Sequence, residues 1–224
     1  MRSGHEIINM RNAIILFILT FYTGVLWAQK EESENSVEVM VSFNRTNLKD
    51  QNTENGNGFG LGLYQTFLMS KKVKLIFGLE YNKTTQTKNR MYGGHYAHTT
   101  DIKYSFNWFS IPLNARVYFG ERFKFFIESG AFVDIPLSAR KKGTSHSCLP
   151  NEEGHPEYKT NDFDEKASQI RTNLGLSVGL GFMIPISNTT LIIKSDYRYG
   201  LRPIHEYYDK ITNKYYRISV GMKI

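Results

Sequence analysis

The chain has 224 residues, a formal charge of +7, 41% apolar and 14% aromatic residues, and a mean hydropathy of -0.39. That length accommodates one full-sized domain, and that hydropathy excludes a bundle of membrane helices while leaving open a β-barrel, in which only alternate residues meet lipid. The bases are scattered and not gathered into a Lys/Arg block, which argues against nucleic acid as a partner.

The first feature along the chain is an export signal. Arg2 and Arg11 precede an apolar run at 13–27, and Ala28 supplies the small residue at a cleavage site. A spanning helix needs about 20 apolar residues, more than this run offers. We read 1–28 as a cleaved signal peptide, with Met10 as a second candidate start, and 29–224 as the mature domain.

Eight segments with strand character follow, near 36–44, 57–67, 73–84, 101–119, 123–138, 169–185, 190–200 and 213–224. The period-2 alternation is clearest at 174–184, where Leu174, Leu176, Val178, Leu180, Phe182 and Ile184 alternate with Gly175, Ser177, Gly179, Gly181 and Met183. Short turns join segments two to three (Met69–Lys72), four to five (Gly120–Arg122) and six to seven (Ser187–Thr189). The other connections read as longer polar loops, the longest at 139–168. Strict alternation of short and long links predicts an all-β fold: an eight-stranded antiparallel up-and-down transmembrane barrel with periplasmic turns and extracellular loops.

The second face of the strands separates a membrane barrel from a soluble lipocalin-like binding barrel. It carries Gly58, Gly60, Gly62, Gly78, Gly130, Gly175, Gly179, Gly181 and Gly221. It also carries Glu80, Glu128, Asp134 and Asp196 alongside Arg116, Lys194, Arg198 and Arg217. Small residues and opposite charges suit a narrow lumen, whereas glycine weakens a strand facing solvent. On the apolar face, Phe67, Phe119, Phe123 and Phe182 fall near the short turns, and Tyr81, Tyr197, Tyr199 and Tyr216 fall near the other end, forming two aromatic girdles. Two features fit less well. Pro112 and Pro136 interrupt strands that have no free edge, and the apolar phase slips near Trp108-Phe109, for which a β-bulge is the expected explanation.

The sequence resembles the outer-membrane β-barrel domain proteins that include the PorT-like group. The resemblance rests on Gly58–Tyr64, Phe77–Tyr81, Ile111–Phe119, Glu128–Gly130 and Leu176–Gly181, and it covers nearly all of the mature chain. It implies the outer membrane of a Gram-negative bacterium, no cofactor, and contact with outer-membrane lipids and the barrel-assembly machinery. Links to secretion or envelope proteins follow for some relatives, with the chain as a monomer. One departure is the terminal Ile224, where many such barrels end in an aromatic residue.

Chemistry is sparse. His95, His98, His146, His155 and His205 all fall in expected outer loops. His146, Cys148, Glu152, Glu153 and His155 share one of these, but at no recognised metal spacing. His205, Asp209 and Asp162 do not form a selected triad. The single cysteine, Cys148, cannot form an internal disulfide and reads as a free loop thiol. The lumen charges read as a salt-bridged plug and not a proton path. The expected function is therefore non-enzymatic, structural, adhesive or secretion-accessory, exerted through the outer loops. The alternatives are a narrow transport protein, a lipid-modifying barrel enzyme or a soluble periplasmic binding barrel.

Overall fold

The computed structural model of the chain describes residues 36–46, 53–70, 72–94, 96–120, 123–167, 170–186, 188–204 and 212–224. The expected signal peptide, Met10, His95, His205 and Asp209 lie outside them. The strands are β1 (Ser36–Thr46), β2 (Thr53–Asn55), β3 (Asn57–Leu68), β4 (Val73–Tyr92), β5 (Ala97–Phe119), β6 (Lys124–Pro150), β7 (Pro156–Lys166), β8 (Asn173–Ile186), β9 (Thr189–Pro203) and β10 (Thr212–Lys223). Every pairing is antiparallel. The order β4-β3-β1-β10-β9-β8-β6-β5 closes on itself because β4 also pairs with β5. The result is a ring of eight sequential neighbours, with β2 and β7 paired outside it. Closure leaves no ring edge, which is what allows strands to cross lipid with every ladder satisfied.

Burial in this ring is the reverse of that in a soluble barrel. Val41 (56% exposed), Leu61 (54%), Val178 (54%) and Ile218 (58%) point outward, while Arg116 and Arg198 are fully buried (0%). An apolar exterior around a charged interior suits a lipid solvent and excludes the lipocalin-like arrangement. The aromatics bracket this surface. Phe119, Phe125 and Phe182 form a chain with centroids 6.1 and 5.3 Å apart near the turns. Tyr197 and Tyr216 stand 4.6 Å apart, and Phe59 and Tyr81 5.9 Å apart, towards the other end.

Four expectations are corrected. First, the described residues of the polar stretches expected as loops, 85–94, 96–100 and 139–167, are not irregular loops. β4 and β5 run past the barrel rim to Tyr92 and Ala97, and β6 and β7 form a hairpin registered from Arg140↔Lys166 to Pro150↔Pro156. With β2, these strands make a sheet standing beyond the barrel. Its strands hydrogen-bond as in the barrel, but most of its surface meets water, so the alternation that marks a lipid-facing strand fades. Second, of the segment expected from 169, residue 169 lies outside the described residues and β8 begins at Asn173, while the Arg171 amide donates to the Ile204 carbonyl.

Third, the phase of β5 does not slip at Trp108-Phe109. Ile102, Tyr104, Phe106, Trp108, Ser110, Pro112, Asn114 and Arg116 are all buried on one face. What changes is the inward chemistry, from aromatic to polar. The bulge near this level lies on the neighbouring strand: Asn107 pairs with Ser138 and Trp108 with Pro136, so Leu137 is the extra residue. A second bulge, at Asp101 on β5, places that residue at φ 54°.

Fourth, Pro112 on β5 does not depend on a bulge in its own strand. Pro112 faces Gly78 on β4, where the ladder skips from Phe77↔Leu113 to Glu80↔Ser110. A Cβ on Gly78 would lie 2.5 Å from the Tyr64 ring and 3.0 Å from Pro112 Cγ. The missing side chain is what admits both rings. Pro136 sits beside the Leu137 bulge, in the gap between the last β6–β8 pair at Asp134 and the first β6–β7 pair at Arg140. Its missing N–H interrupts neither ladder.

Candidate functional site

Period-2 geometry sends every second residue of each ring strand into the lumen, so eight strands deliver charges from far apart in sequence to one narrow space. Five buried carboxylates (Glu38, Glu80, Glu128, Asp134, Asp196) meet four buried cations (Arg116, Lys194, Arg198, Arg217) there. The first group centres on Arg116. Its Nη1 donates to Glu38 Oε1 at 2.6 Å, its Nη2 to Glu38 Oε2 at 3.1 Å, and its Nε to Glu128 Oε2 at 2.8 Å. Lys194 Nζ donates to Glu128 Oε1 at 3.0 Å and comes within 3.8 Å of Asp196.

The second group centres on Glu80. Arg198 Nη2 donates to its Oε1 at 2.6 Å, Arg217 Nη1 to its Oε2 at 2.8 Å, and the Tyr64 hydroxyl to its Oε1 at 2.5 Å. Arg217 Nε also donates to Asp196 Oδ1 at 3.0 Å. Asp134 is held by neutral donors: Ser110 Oγ at 2.6 Å, and Asn173 and Asn213 Nδ2, each at 3.1 Å. The eight charges singled out from sequence thus lie in one lumen, and seven of them join ion pairs. Sequence reasoning missed Glu38. Its signal was its parity with Met40 and Asn44, opposite to Val37, Val39, Val41 and Phe43.

Apolar side chains fill the rest of the lumen. Ile76, Met183 and Ile192 pack with Met40, Tyr64 and Phe126 towards the turns. Ile102, Tyr104, Phe106 and Trp108 pack with Ala139, Ala167 and Ile204 towards the hairpins. Phe106 and Trp108 stack at 5.6 Å, and the indole donates to Thr84 Oγ1 at 3.0 Å. A lumen filled in this way is a packed core and leaves little room for water.

The outer residues do not converge. His146 stacks on His98 at 4.8 Å, and its ring nitrogens contact Thr100 Oγ1 (3.2 Å) and Thr160 Oγ1 (3.1 Å). Partial desolvation, with the positive fields of Arg90 and His146, holds the His98 pKa below its ordinary value. Cys148 is half-buried, and its amide donates to the Tyr96 carbonyl at 2.8 Å. Glu152, Glu153 and His155 belong to the hairpin tip, where Asn151 Oδ1 accepts from the amides of Glu153 and His155. Asp162 accepts from Thr144 Oγ1 at 2.8 Å. Among the described residues, no three His, Cys, Asp or Glu side chains are placed to hold a metal ion. The Asp164 pKa is held below the ordinary carboxylate value by a hydrogen bond from Lys142, with Arg140 adding to the effect. It forms ion pairs to both, at 2.7 and 3.0 Å.

A closed ring with a lipid-facing exterior, two aromatic girdles and a charged lumen defines an outer-membrane β-barrel. The family described as outer membrane protein beta-barrel domain matches residues 27–206, and the chain belongs to it. Its location is accordingly the outer membrane of a Gram-negative bacterium. No protein of curated function matches the sequence. Among solved structures, the chain is similar to Neisserial surface protein A, at 15% identity over 85% of this chain and 96% of that one, with a TM-score of 0.46. It is similar to the attachment invasion locus protein Ail of Yersinia pestis, at 13% identity over 87% and 100%, with a TM-score of 0.39. It is also similar to the N-terminal β-barrel domain of Pseudomonas aeruginosa OprF, at 14% identity over 86% and 100%, with a TM-score of 0.36.

Proposed function

We propose that this barrel is a non-enzymatic anchor that acts through its extracellular hairpin sheet, in a structural, adhesive or secretion-accessory role of the PorT-like kind. One observation carries the reading: β6 is 27 residues long, whereas about 9–11 suffice to cross a bilayer. The excess of β4, β5 and β6, with β7, builds an ordered platform above the membrane. The lumen below it is filled with ion pairs and aromatic rings, which argues against passage through it and against the narrow transport reading. Among the described residues, Arg140 and Lys142 pair with Asp164 and Lys141 with Glu165, and no convergent catalytic set is formed, which is why we favour binding over lipid modification.

The partners that follow are outer-membrane lipids around the girdles, the barrel-assembly machinery during insertion, and a secretion or envelope protein at the platform. The barrel itself is a monomer that requires no cofactor and binds no nucleic acid. A photo-crosslinking residue at Tyr158, 81% exposed on β7, tests this in intact cells against one at lipid-facing Val178. Protein crosslinks specific to Tyr158 are expected. Equal crosslinking at both positions, or steady conductance of the purified barrel in planar bilayers, would overturn the reading.

A further inference from the structure

On the lipid-facing side of the barrel, immediately beyond the outer girdle, β3, β4 and β5 enclose a cleft of about 490 Å³ whose lining includes Asn57, Phe59, Lys83, Thr85, Thr87 and Lys103. Its floor begins at the girdle itself, where the Phe59 ring packs at a tilt against Tyr81. Lys83 lies two residues further along β4, about 7 Å beyond Tyr81 towards the hairpins. Lys103 is the cross-strand partner of Thr87, four residues beyond Lys83 along β4, about 13 Å higher.

Backbone geometry holds the cleft open. β3 approaches β4 closely at Gly58, where a Cβ would collide with the Lys83 carbonyl, and Thr85 Oγ1 donates to the Asn57 carbonyl at 2.6 Å. Lys83 is half-buried and Lys103 exposed, and neither ion-pairs with another described residue. Arg45 adds a third outward cation, in register with Asn57 on one side and Tyr216 on the other.

Cations on a lipid-facing surface just outside an aromatic girdle stand at the depth of the headgroups. The two lysine levels, together with hydroxyl and amide groups between them, suit a headgroup with anionic groups at two depths on a hydrogen-bonding scaffold. A single phosphate ion would satisfy only one level. We propose that this cleft binds the phosphorylated saccharide headgroup of an outer-leaflet glycolipid, with Lys83 on the deeper phosphate and Lys103 on the shallower anionic group. A bound glycolipid would also tie the base of the hairpin platform to the leaflet it rises from.

The test uses the full mature barrel in dodecyl maltoside, with bisphosphorylated lipid A as the probe and native mass spectrometry as the readout. Wild type is expected to retain one lipid A. The Lys83→Ala/Lys103→Ala variant should bind about 30-fold more weakly, the product expected for two basic contacts to an anionic headgroup. Lys83→Arg/Lys103→Arg should bind like wild type, as should Lys72→Ala/Lys124→Ala at the turn end. Heat-modifiable gel mobility confirms that each variant is folded. The proposal is overturned if wild type retains no lipid A, if the double alanine variant binds equally, or if dephosphorylated lipid A binds equally. Displacement of lipid A by inorganic phosphate alone would likewise overturn it, reassigning the cleft to free phosphate.

Discussion

Replacing Arg116 with methionine keeps an unbranched apolar stem and removes the guanidinium that joins two carboxylates. Glu128 retains Lys194 at 3.0 Å, but among the described residues Glu38 is left with only the Thr66 hydroxyl, which donates at 3.4 Å. A buried carboxylate stripped of its partner typically costs about 3–5 kcal/mol. Taking about 4 kcal/mol and a urea slope of about 2 kcal/mol per molar, the unfolding midpoint in lipid vesicles should fall by about 2 M. Fluorescence of Trp108, buried in the lumen, reports the transition. Glu38→Gln in the same background removes the orphaned charge, so the double variant should be more stable than the sum of the single effects by at least about 1 kcal/mol. An Arg116→Met midpoint within about 0.3 M of wild type, or strict additivity in the cycle, would refute the view that this group holds the barrel together.

The other lumen carboxylates should respond unequally. Glu80→Gln weakens bonds from Arg198, Arg217 and Tyr64, and should cost about 2–4 kcal/mol in the same urea assay, because charge-assisted bonds carry the most energy. Asp134→Asn should cost less than half as much, since its donors are a hydroxyl and two amides that a carbonyl oxygen and an NH₂ can still engage. Gly78→Ala forces a methyl against the Tyr64 ring and Pro112, and should destabilise by about 1–3 kcal/mol, read as a lower melting temperature. Acidification should loosen the platform before the barrel. The folded pKa of His98 lies below its ordinary 6.5, so the stability it contributes is complete above that value and declines as pH falls through it. Asp164, whose folded pKa is depressed, keeps its contribution until pH falls below the ordinary carboxylate range. Protection factors from hydrogen exchange at 97–99 and 145–147 should therefore fall between about pH 7 and about pH 5 while those of β8 stay high; unchanged protection would contradict the assignment.

The barrel was legible where lipid and lumen make opposite demands on alternate residues. The stretch from Leu174 to Ile184 could be read directly, because each outward position had to be apolar and each inward one, Met183 apart, is small or polar. The platform was not legible for the same reason in reverse. From Lys141 to Lys166 water or paired polar groups serve both faces, so a strand there needs no alternation and resembles a loop. At Tyr104, Phe106 and Trp108 the rule is inverted, since the aromatic rings that close the lumen point inward. A sequence reading that equates apolar with outward registers this as a phase slip. Glu38 was overlooked because its strand also sends Met40 inward, which blurs the contrast that marked Glu80 and Arg116. The identities of the lumen charges could be read from parity, but their pairing could not, since it depends on strands more than 100 residues apart in sequence, as with Arg198 and Glu80.

The central claim is that the apolar face of these strands meets lipid while the charged face fills the lumen. Single nitroxide labels along β8 in a Cys148→Ser background test it most directly. Labels at Leu176, Val178 and Leu180 should collide freely with oxygen dissolved in the bilayer, and a label at Ser177 should be immobile and shielded from both oxygen and water-soluble relaxants. Oxygen contact at Ser177 with protection at Leu176 and Val178, or free access of a water-soluble relaxant to Ser177, would contradict the account.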